Sequence, residues 1–465
     1  MLISPVILVR LLTVAQFGYY REFLLYVSLL QTVAVFSIND SLLYCIPAHP
    51  ASRWRTVRQT ALLIAASSLI SVGIVAVLDR ATAGHILGPL LAPVCVYTLL
   101  VANLDFWDFY WVATDRPGMI LVYTSCRLGA RVTVAIVSAA LTHDVQVIMW
   151  ALITLEGVRV AGTLVVIMVV DRSAAEPPLP EPWREQLRYC IPSGAASVLS
   201  TLNGNLGGVV VAKALGAVAL AHYTIAKFGE PVVVTLRNSV SSVVLPEMVR
   251  RDRGSRADAL ALWQRANAIN TIMLFPVVAI VERFALPLVE TVFGRAYAPA
   301  ALILQIYMLF VVRECFDFAP AMRAINRTRP LVGSNIASII ACAVLLALLV
   351  PAGGVAGAMV AVVAAAFVDA VWLGRAMMRH YGVGLGELIP WASTGKVAAA
   401  ALMAAVVLVP AWQQMLGTGG MVLGSLTYLA AFALLLLGLR VPEAFVLLAW
   451  ARRLVPTLAT ACRKA

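Results

Sequence analysis

Residues 331–374 read LVGSNIASIIACAVLLALLVPAGGVAGAMVAVVAAAFVDAVWLG and hold one charge, Asp369. Two apolar runs, 331–351 and 354–374, flank the short connection from Pro351 to Gly354. Each run has roughly the 20 residues a helix needs to cross a ~30 Å hydrocarbon layer. Neither has a polar face to offer to water. The pattern recurs along the chain. Further runs of spanning length lie at roughly 23–47, 60–79, 88–112, 119–140, 146–170, 190–214, 218–246, 266–284, 298–321, 393–411 and 420–439. A shorter run from Met1 to about Gln16, carrying Arg10, precedes them. With it, the expected fold is an all-α polytopic membrane protein of about 14 transmembrane helices. No basic flank comes before the first run and no small-residue cleavage site follows it. It is therefore expected to be the end of a helix that begins upstream, and not a signal peptide.

Composition agrees. The chain has 465 residues, is 62% hydrophobic and 12% charged, and has a mean hydropathy of +0.91. Soluble globular chains run at about 25% charged residues, so too little polar surface remains here for a water-facing protein. The formal charge of +12 does not point to nucleic acid, because the basic residues cluster in short loops between apolar runs. The seven cysteines are scattered through apolar segments without a CxxC pair, and the five histidines form no HExxH. Neither a Walker A loop nor a metal-ligand spacing is found, so no cofactor and no metal is expected.

Arginine placement sets the orientation, because cytoplasmic loops carry an excess of Lys and Arg. Arg53, Arg55 and Arg58 follow the second run, and Arg172, Arg184 and Arg188 lie in the longest central connection. Arg250, Arg251, Arg253, Arg256 and Arg265 crowd a later loop; Arg323, Arg327 and Arg329, then Arg375 and Arg379, continue the series. Arg440, Arg452, Arg453, Arg463 and Lys464 fall in the tail. The intervening connections are nearly free of basic residues, so both termini are expected in the cytoplasm of a bacterial inner-membrane protein. Arg283 and Arg295 break the alternation, and so, to a lesser degree, does Arg21.

The proline-rich stretch 171–189 divides the chain. Expected domains are an N-terminal six-helix bundle over 1–170, the linker 171–189, a second six-helix bundle over 190–380, two additional helices over 381–440 and an amphipathic cytoplasmic tail over 441–465. Each half places a Tyr near the start of its second helix (Tyr20, Tyr223) and ends that helix at a Pro (Pro47, Pro246) before an Arg-rich loop. Such parallels hint at an internal repeat.

Ionisable residues inside spans carry the functional information, because each costs roughly 2.5–3.5 kcal/mol at a helix centre. Arg127 and Arg131 lie four apart on one face of the fifth helix, with no acidic neighbour in that helix. They need an anion, a hydrated cavity or a carboxylate from another helix. Glu156 and Arg159 share the sixth helix, and Lys227, Glu230 and Arg237 the eighth. Arg313, Glu314 and Asp317 cluster in the tenth, where Arg313 and Asp317 can pair at i,i+4. Asp369 lies in the twelfth, and Asp105 and Asp108 near the end of the fourth. These groups are either mutually neutralised staples or the lining of an aqueous path. A cation-rich path suits a phosphate-bearing substrate, to which Arg offers paired donors.

Five stretches share a family pattern. They are Ala15-Gln16-Phe17-Gly18-Tyr19-Tyr20, read as a first loop with Gly-x-Tyr; Ile191-Pro192, opening the seventh helix; and Ala221-His222-Tyr223-Thr224-Ile225-Ala226. The others are Phe293-Gly294-Arg295-Ala296-Tyr297-Ala298-Pro299-Ala300, before the tenth helix, and Gly354-Val355-Ala356-Gly357-Ala358, opening the twelfth. In this order the sequence resembles the polysaccharide-transport branch of the multidrug/oligosaccharidyl-lipid/polysaccharide exporter superfamily, the flippases for O-antigen and exopolysaccharide repeat units. Many relatives carry an acid in the seventh helix, where this chain has Asn203 and Asn205.

The resemblance implies two six-helix bundles plus two C-terminal helices around a central cavity. It implies a flippase, not an enzyme, for an undecaprenyl-pyrophosphate-linked glycan. Membrane lipids, and a polysaccharide polymerase with its export machinery, are the expected partners. On that basis Arg127, Arg131, Arg159, Lys227 and Arg237 are candidate substrate-binding residues, and Glu156, Glu230 and Asp317 candidate ion-coupling groups. The alternatives are a peptidoglycan lipid precursor flippase and a cation-coupled multidrug exporter of the same superfamily. A membrane glycan polymerase or transferase fits less well, because the outer loops are short.

Overall fold

The computed structural model describes residues 3–84, 86–171, 182–252, 254–325, 327, 329–406 and 417–446. Among these residues the chain is almost entirely helical and contains no strand. In chain order the helices are α1 (Ile3–Leu11), α2 (Val14–Val35), α3 (Leu42–Ala48), α4 (Arg53–Ala81), α5 (Leu91–Ala102), α6 (Phe106–Ala113), α7 (Pro117–Thr142) and α8 (Val145–Asp171). Then come α9 (Pro182–Ala226), α10 (Glu230–Asp252), α11 (Arg256–Phe293), α12 (Ala300–Glu314), α13 (Phe318–Ala324), α14 (Arg329–Tyr381), α15 (Leu385–Leu388), α16 (Trp391–Ala405) and α17 (Gly417–Gly438).

Eight continuous helical stretches among the described residues are long and apolar enough to cross a membrane, and the bent pair α2/α3 makes a ninth. Two of the eight, Gln186–Asp252 and Arg329–Tyr381, are long enough for two crossings each. The 53 residues of α14 would reach about 80 Å if straight. Instead the chain reverses at Gly354, with φ 54° and ψ −133°. A Cβ on Gly357 would lie 2.2 Å from the Leu349 carbonyl oxygen, eight residues back. In a straight helix those residues stand about 12 Å apart. The motif opening the twelfth span is thus a hairpin: Gly354 supplies the left-handed turn, and Gly357 lets the two helices touch. In α9 the corresponding break is at Gly216, with φ 83°. With these two divided, every apolar run read from the sequence falls on helix, four of them with a short interruption, except that 407–411 lies outside the described residues.

Large apolar side chains point outward along these helices. Leu69, Ile70 and Val77 of α4, Leu141 of α7 and Leu402 of α16 are each more than 60% exposed. A water-soluble protein does not display such surfaces, whereas a multi-pass membrane protein presents them to lipid.

Contacts divide the chain into two compact units, Met1–Ala221 and His222–Ala465. In the first, one core gathers Leu42, Val57, Ile64, Phe106, Tyr110 and Cys190 from α3, α4, α6 and α9. The start of α9 is fastened there by Gln186, only 1% exposed. Its Nε2 donates to Ser41 Oγ and Thr60 Oγ1, each at 2.7 Å, and its Oε1 accepts from Gln59 at 2.8 Å. Farther along α9, a Cβ on Gly18 would meet the Ala217 carbonyl oxygen at 1.9 Å, so Gly-x-Tyr marks a close backbone approach. In the second unit, Met248, Trp263, Phe318, Met322, Leu373 and Met377 form one core. A second core packs the two additional helices on α11 through Ile272, Phe284, Val397, Tyr428 and Phe432.

Local differences from the sequence reading have identifiable causes. Residues 15–20 are helical and not a loop, because Thr13 caps α2. Its side chain accepts from the Gln16 N–H, and the Gln16 side chain returns to the Thr13 N–H at 3.0 Å. Ile191-Pro192 does not open a helix: α9 begins at Pro182, and Pro192 lies within it. Of the linker, 172–181 lies outside the described residues. So do Arg253 and the tail beyond 446, including Arg452, Arg453, Arg463 and Lys464.

The second and fourth spans of both halves are interrupted. The breaks fall at 36–41 between α2 and α3, 103–105 between α5 and α6, 227–229 between α9 and α10, and 315–317 between α12 and α13. Each carries or adjoins a charge: Asp40, Asp105, Lys227 and Asp317. Interrupted backbone at membrane depth needs partners from the protein. At Asp317 they are visible. Its N–H donates to Asn267 Oδ1 at 3.2 Å, and its carbonyl accepts from Trp263 Nε1 at 2.8 Å.

Candidate functional site

Three arginines of the first unit meet three carboxylates drawn from neighbouring helices. Arg127, Arg131 and Tyr123 recur at i,i+4 along α7, so one face carries all three. The break between α5 and α6 turns Asp105 toward that face, and Asp108 follows one turn later. Arg127 bonds Asp105 at 3.1 Å and Asp108 at 2.7 Å. Gln31 of α2 donates to the other oxygen of Asp105, and Thr124 donates to Asp108 at 3.1 Å.

Glu156 of α8 is fully buried and shared. Arg131 reaches one of its oxygens at 2.5 Å, and Arg159, one helical turn along, reaches the other. Tyr123 ties the two halves of the cluster together. Its hydroxyl accepts from Arg159 at 2.7 Å, and its ring stands 5.9 Å from the Arg127 guanidinium and 5.7 Å from that of Arg159. Of the three needs stated for Arg127 and Arg131, a carboxylate from another helix is the one met here.

The second unit holds a different cluster. Arg237 of α10 bonds Glu314 and lies 3.5 Å from Asp317. Arg313 bonds Glu314 at 2.6 Å, pairs with Asp369 of α14, and donates to the Ala366 carbonyl at 3.2 Å. The expected i,i+4 pair of Arg313 with Asp317 is not formed. The break after Glu314 turns Asp317 away to Ser241, which donates to it at 2.7 Å. Two arginines here face three carboxylates, an excess of negative charge. Lys227 and Glu230 pair with each other at 3.1 Å across the α9/α10 break, and Lys227 stands 5.9 Å from the Tyr223 ring.

The structure thus brings Arg127, Arg131, Arg159 and Glu156 into one network, Arg237 and Asp317 into another, and Lys227 with Glu230 into a third. Sequence reasoning placed Asp105 and Asp108 near the edge of the membrane and missed their role as partners of Arg127. It also missed Tyr123, whose four-residue spacing from Arg127 was the available signal. No group of three or more His, Cys, Asp or Glu suited to a metal ion occurs among the described residues.

Residues 118–302, which include nearly all of α7 with Arg127 and Arg131, match the family described as polysaccharide biosynthesis protein. No curated protein sequence matches the chain. Among solved structures, the lipid II flippase MurJ in an inward closed conformation is similar at 12% identity and a TM-score of 0.66, over 94% of this chain and 98% of that one. An inward-facing multidrug resistance MATE family transporter of the MOP superfamily is similar at 15% identity and a TM-score of 0.58, over 82% and 95%. The chain is a multi-pass membrane protein with the fold seen in the MurJ and MATE structures, and over residues 118–302 it matches the sequence pattern of the polysaccharide biosynthesis family.

Proposed function

We propose that the protein is a flippase that moves undecaprenyl-pyrophosphate-linked oligosaccharide repeat units across the bacterial inner membrane by alternating access, with both termini in the cytoplasm. The observation that carries the substrate class is the polysaccharide biosynthesis pattern over 118–302, because that segment contains Arg127, Arg131, Arg159, Lys227 and Arg237. These residues are the proposed contacts for the pyrophosphate and sugar. The reading is transport without covalent chemistry, and the product passes to a polymerase and export machinery.

The shared carboxylate suggests how ion and substrate are coupled. Glu156 occupies donors of both Arg131 and Arg159, and the pyrophosphate competes with it for them, so a coupling cation that acts on Glu156 is linked to substrate binding. Glu230 and Asp317 are the corresponding candidates in the second unit. On this account Glu156→Gln retains the substrate but loses the dependence of export on the proton gradient.

The test is export of surface glycan by Arg127→Ala and Arg131→Ala variants, normalised to protein abundance. Arg131→Ala is expected to abolish export. Wild-type export by both variants contradicts the site. A rise in sensitivity to cationic drugs with unchanged glycan intermediates in a strain lacking the protein favours the multidrug exporter instead.

A further inference from the structure

Arg21 lies two turns into α2, among membrane-spanning helices, and breaks the charge alternation of the loops. It has no carboxylate partner among the described residues. An arginine at such depth needs an anion or water to offset the cost of insertion. It lines a half-open cavity of about 210 Å³ within the first unit, walled by α1, α2, α5, α7 and α8. Arg131 lines the same cavity, and its Nη2 is buried with no hydrogen-bond partner even though its Nε holds Glu156.

Two tyrosines complete the polar end. Tyr20 is 7% exposed and Tyr97 5%, and both line the cavity. The guanidinium of Arg21, the free Nη2 of Arg131 and the two phenols can all donate to an acceptor in the cavity, with one positive charge in excess. Arg21, Arg127, Arg131 and Arg159 stand against Asp105, Asp108 and Glu156. The rest of the wall is apolar, supplied by Leu8, Leu24, Leu128 and Leu152.

From this we infer that the cavity binds an anionic phosphate carried on a lipid, with Arg21, Arg131, Tyr20 and Tyr97 holding the phosphate oxygens and the leucines covering the start of its hydrocarbon. Arginine forks and phenols match phosphate oxygens, and a free anion would leave the apolar wall unused. The site is complete within the first unit and does not depend on which glycan the protein exports.

The test uses the purified full chain in phosphatidylcholine nanodiscs doped with either phosphatidylglycerol or undecaprenyl phosphate, with bound lipid counted by native mass spectrometry. Wild type is expected to retain an anionic lipid in preference to phosphatidylcholine. Arg21→Gln should weaken retention by on the order of tenfold or more, and Tyr97→Phe by a smaller factor, while Arg21→Lys keeps part of it. Arg21→Gln strands no opposite charge, so folding is expected to survive. Tyr97→Phe, which removes one oxygen, provides an independent reading if it does not.

Retention of both probes supports a general anionic headgroup site, and retention of undecaprenyl phosphate alone supports one for the transported lipid class. Equal retention by wild type, Arg21→Gln and Tyr97→Phe overturns the site. Inorganic phosphate binding as tightly as either lipid overturns its lipid character. Because the readout is binding, a failure of the export reading leaves the result interpretable.

Discussion

Arg127 and Arg131 look equivalent in the sequence, one helical turn apart on the same face, yet the structure gives them different dependants. Among the described residues Arg127 is the only cation bonded to Asp105 and Asp108, so Arg127→Ala leaves two carboxylates without a counter-charge there. Breaking a buried pair from one side costs about 3–5 kcal/mol. Arg131→Ala leaves Glu156 still held by Arg159. The expected outcome is a marked loss of folded protein for Arg127→Ala and near-normal abundance for Arg131→Ala, measured by fluorescence size-exclusion chromatography. That difference was not legible from spacing, because it depends on which neighbouring helix supplies which acid. The glycine motifs were legible as patterns but not as causes. Gly357 is fixed by the Leu349 carbonyl, 2.2 Å from where a Cβ would stand. Gly357→Ala must push the hairpin apart, at a cost of about 1–3 kcal/mol or more, seen as a lower melting temperature in detergent.

The helices themselves were readable from apolar run length, since lipid demands about 20 consecutive apolar residues and leaves few alternatives. Their ends and interruptions were less so. Thr13 and Gln16 form a capping box that sequence reading could have found, and it moves the start of the second helix back across the Gly-x-Tyr stretch. The breaks at 103–105 and 315–317 have no glycine or proline to announce them. They persist because tertiary partners accept the freed backbone groups, as Trp263 and Asn267 do at Asp317. Trp263→Phe keeps the ring packing and removes that donor. It should cost about 1–3 kcal/mol, the penalty of an unsatisfied buried carbonyl. A thermal shift assay reads it directly. An unchanged melting temperature would mean that the break is held by other contacts.

At the scale of the molecule, composition and hydropathy settled the class, and the exposed leucines and valines of α4, α7 and α16 are the structural face of the same numbers. The division into units was harder to read. The proline-rich stretch 171–189 is the obvious punctuation in the sequence, but contacts place 182–221 with the first unit. Gln186, Ser41, Thr60 and Gln59 explain why, and a polar quartet scattered over four segments has no sequence signature. The two charge clusters also differ in balance. In the first unit the arginines match or exceed the carboxylates, and in the second the carboxylates exceed the arginines.

The central claim is that this chain moves a lipid-linked glycan, and the most direct measurement is the fate of that lipid in a strain lacking the protein. Undecaprenyl-linked intermediates are extracted, separated by thin-layer chromatography and assigned to a membrane face by their accessibility to an impermeant reagent. The account predicts that complete repeat units accumulate on the cytoplasmic face, and that wild type clears them while Arg131→Ala does not. Intermediates unchanged in amount and sidedness in the deletion strain would contradict it.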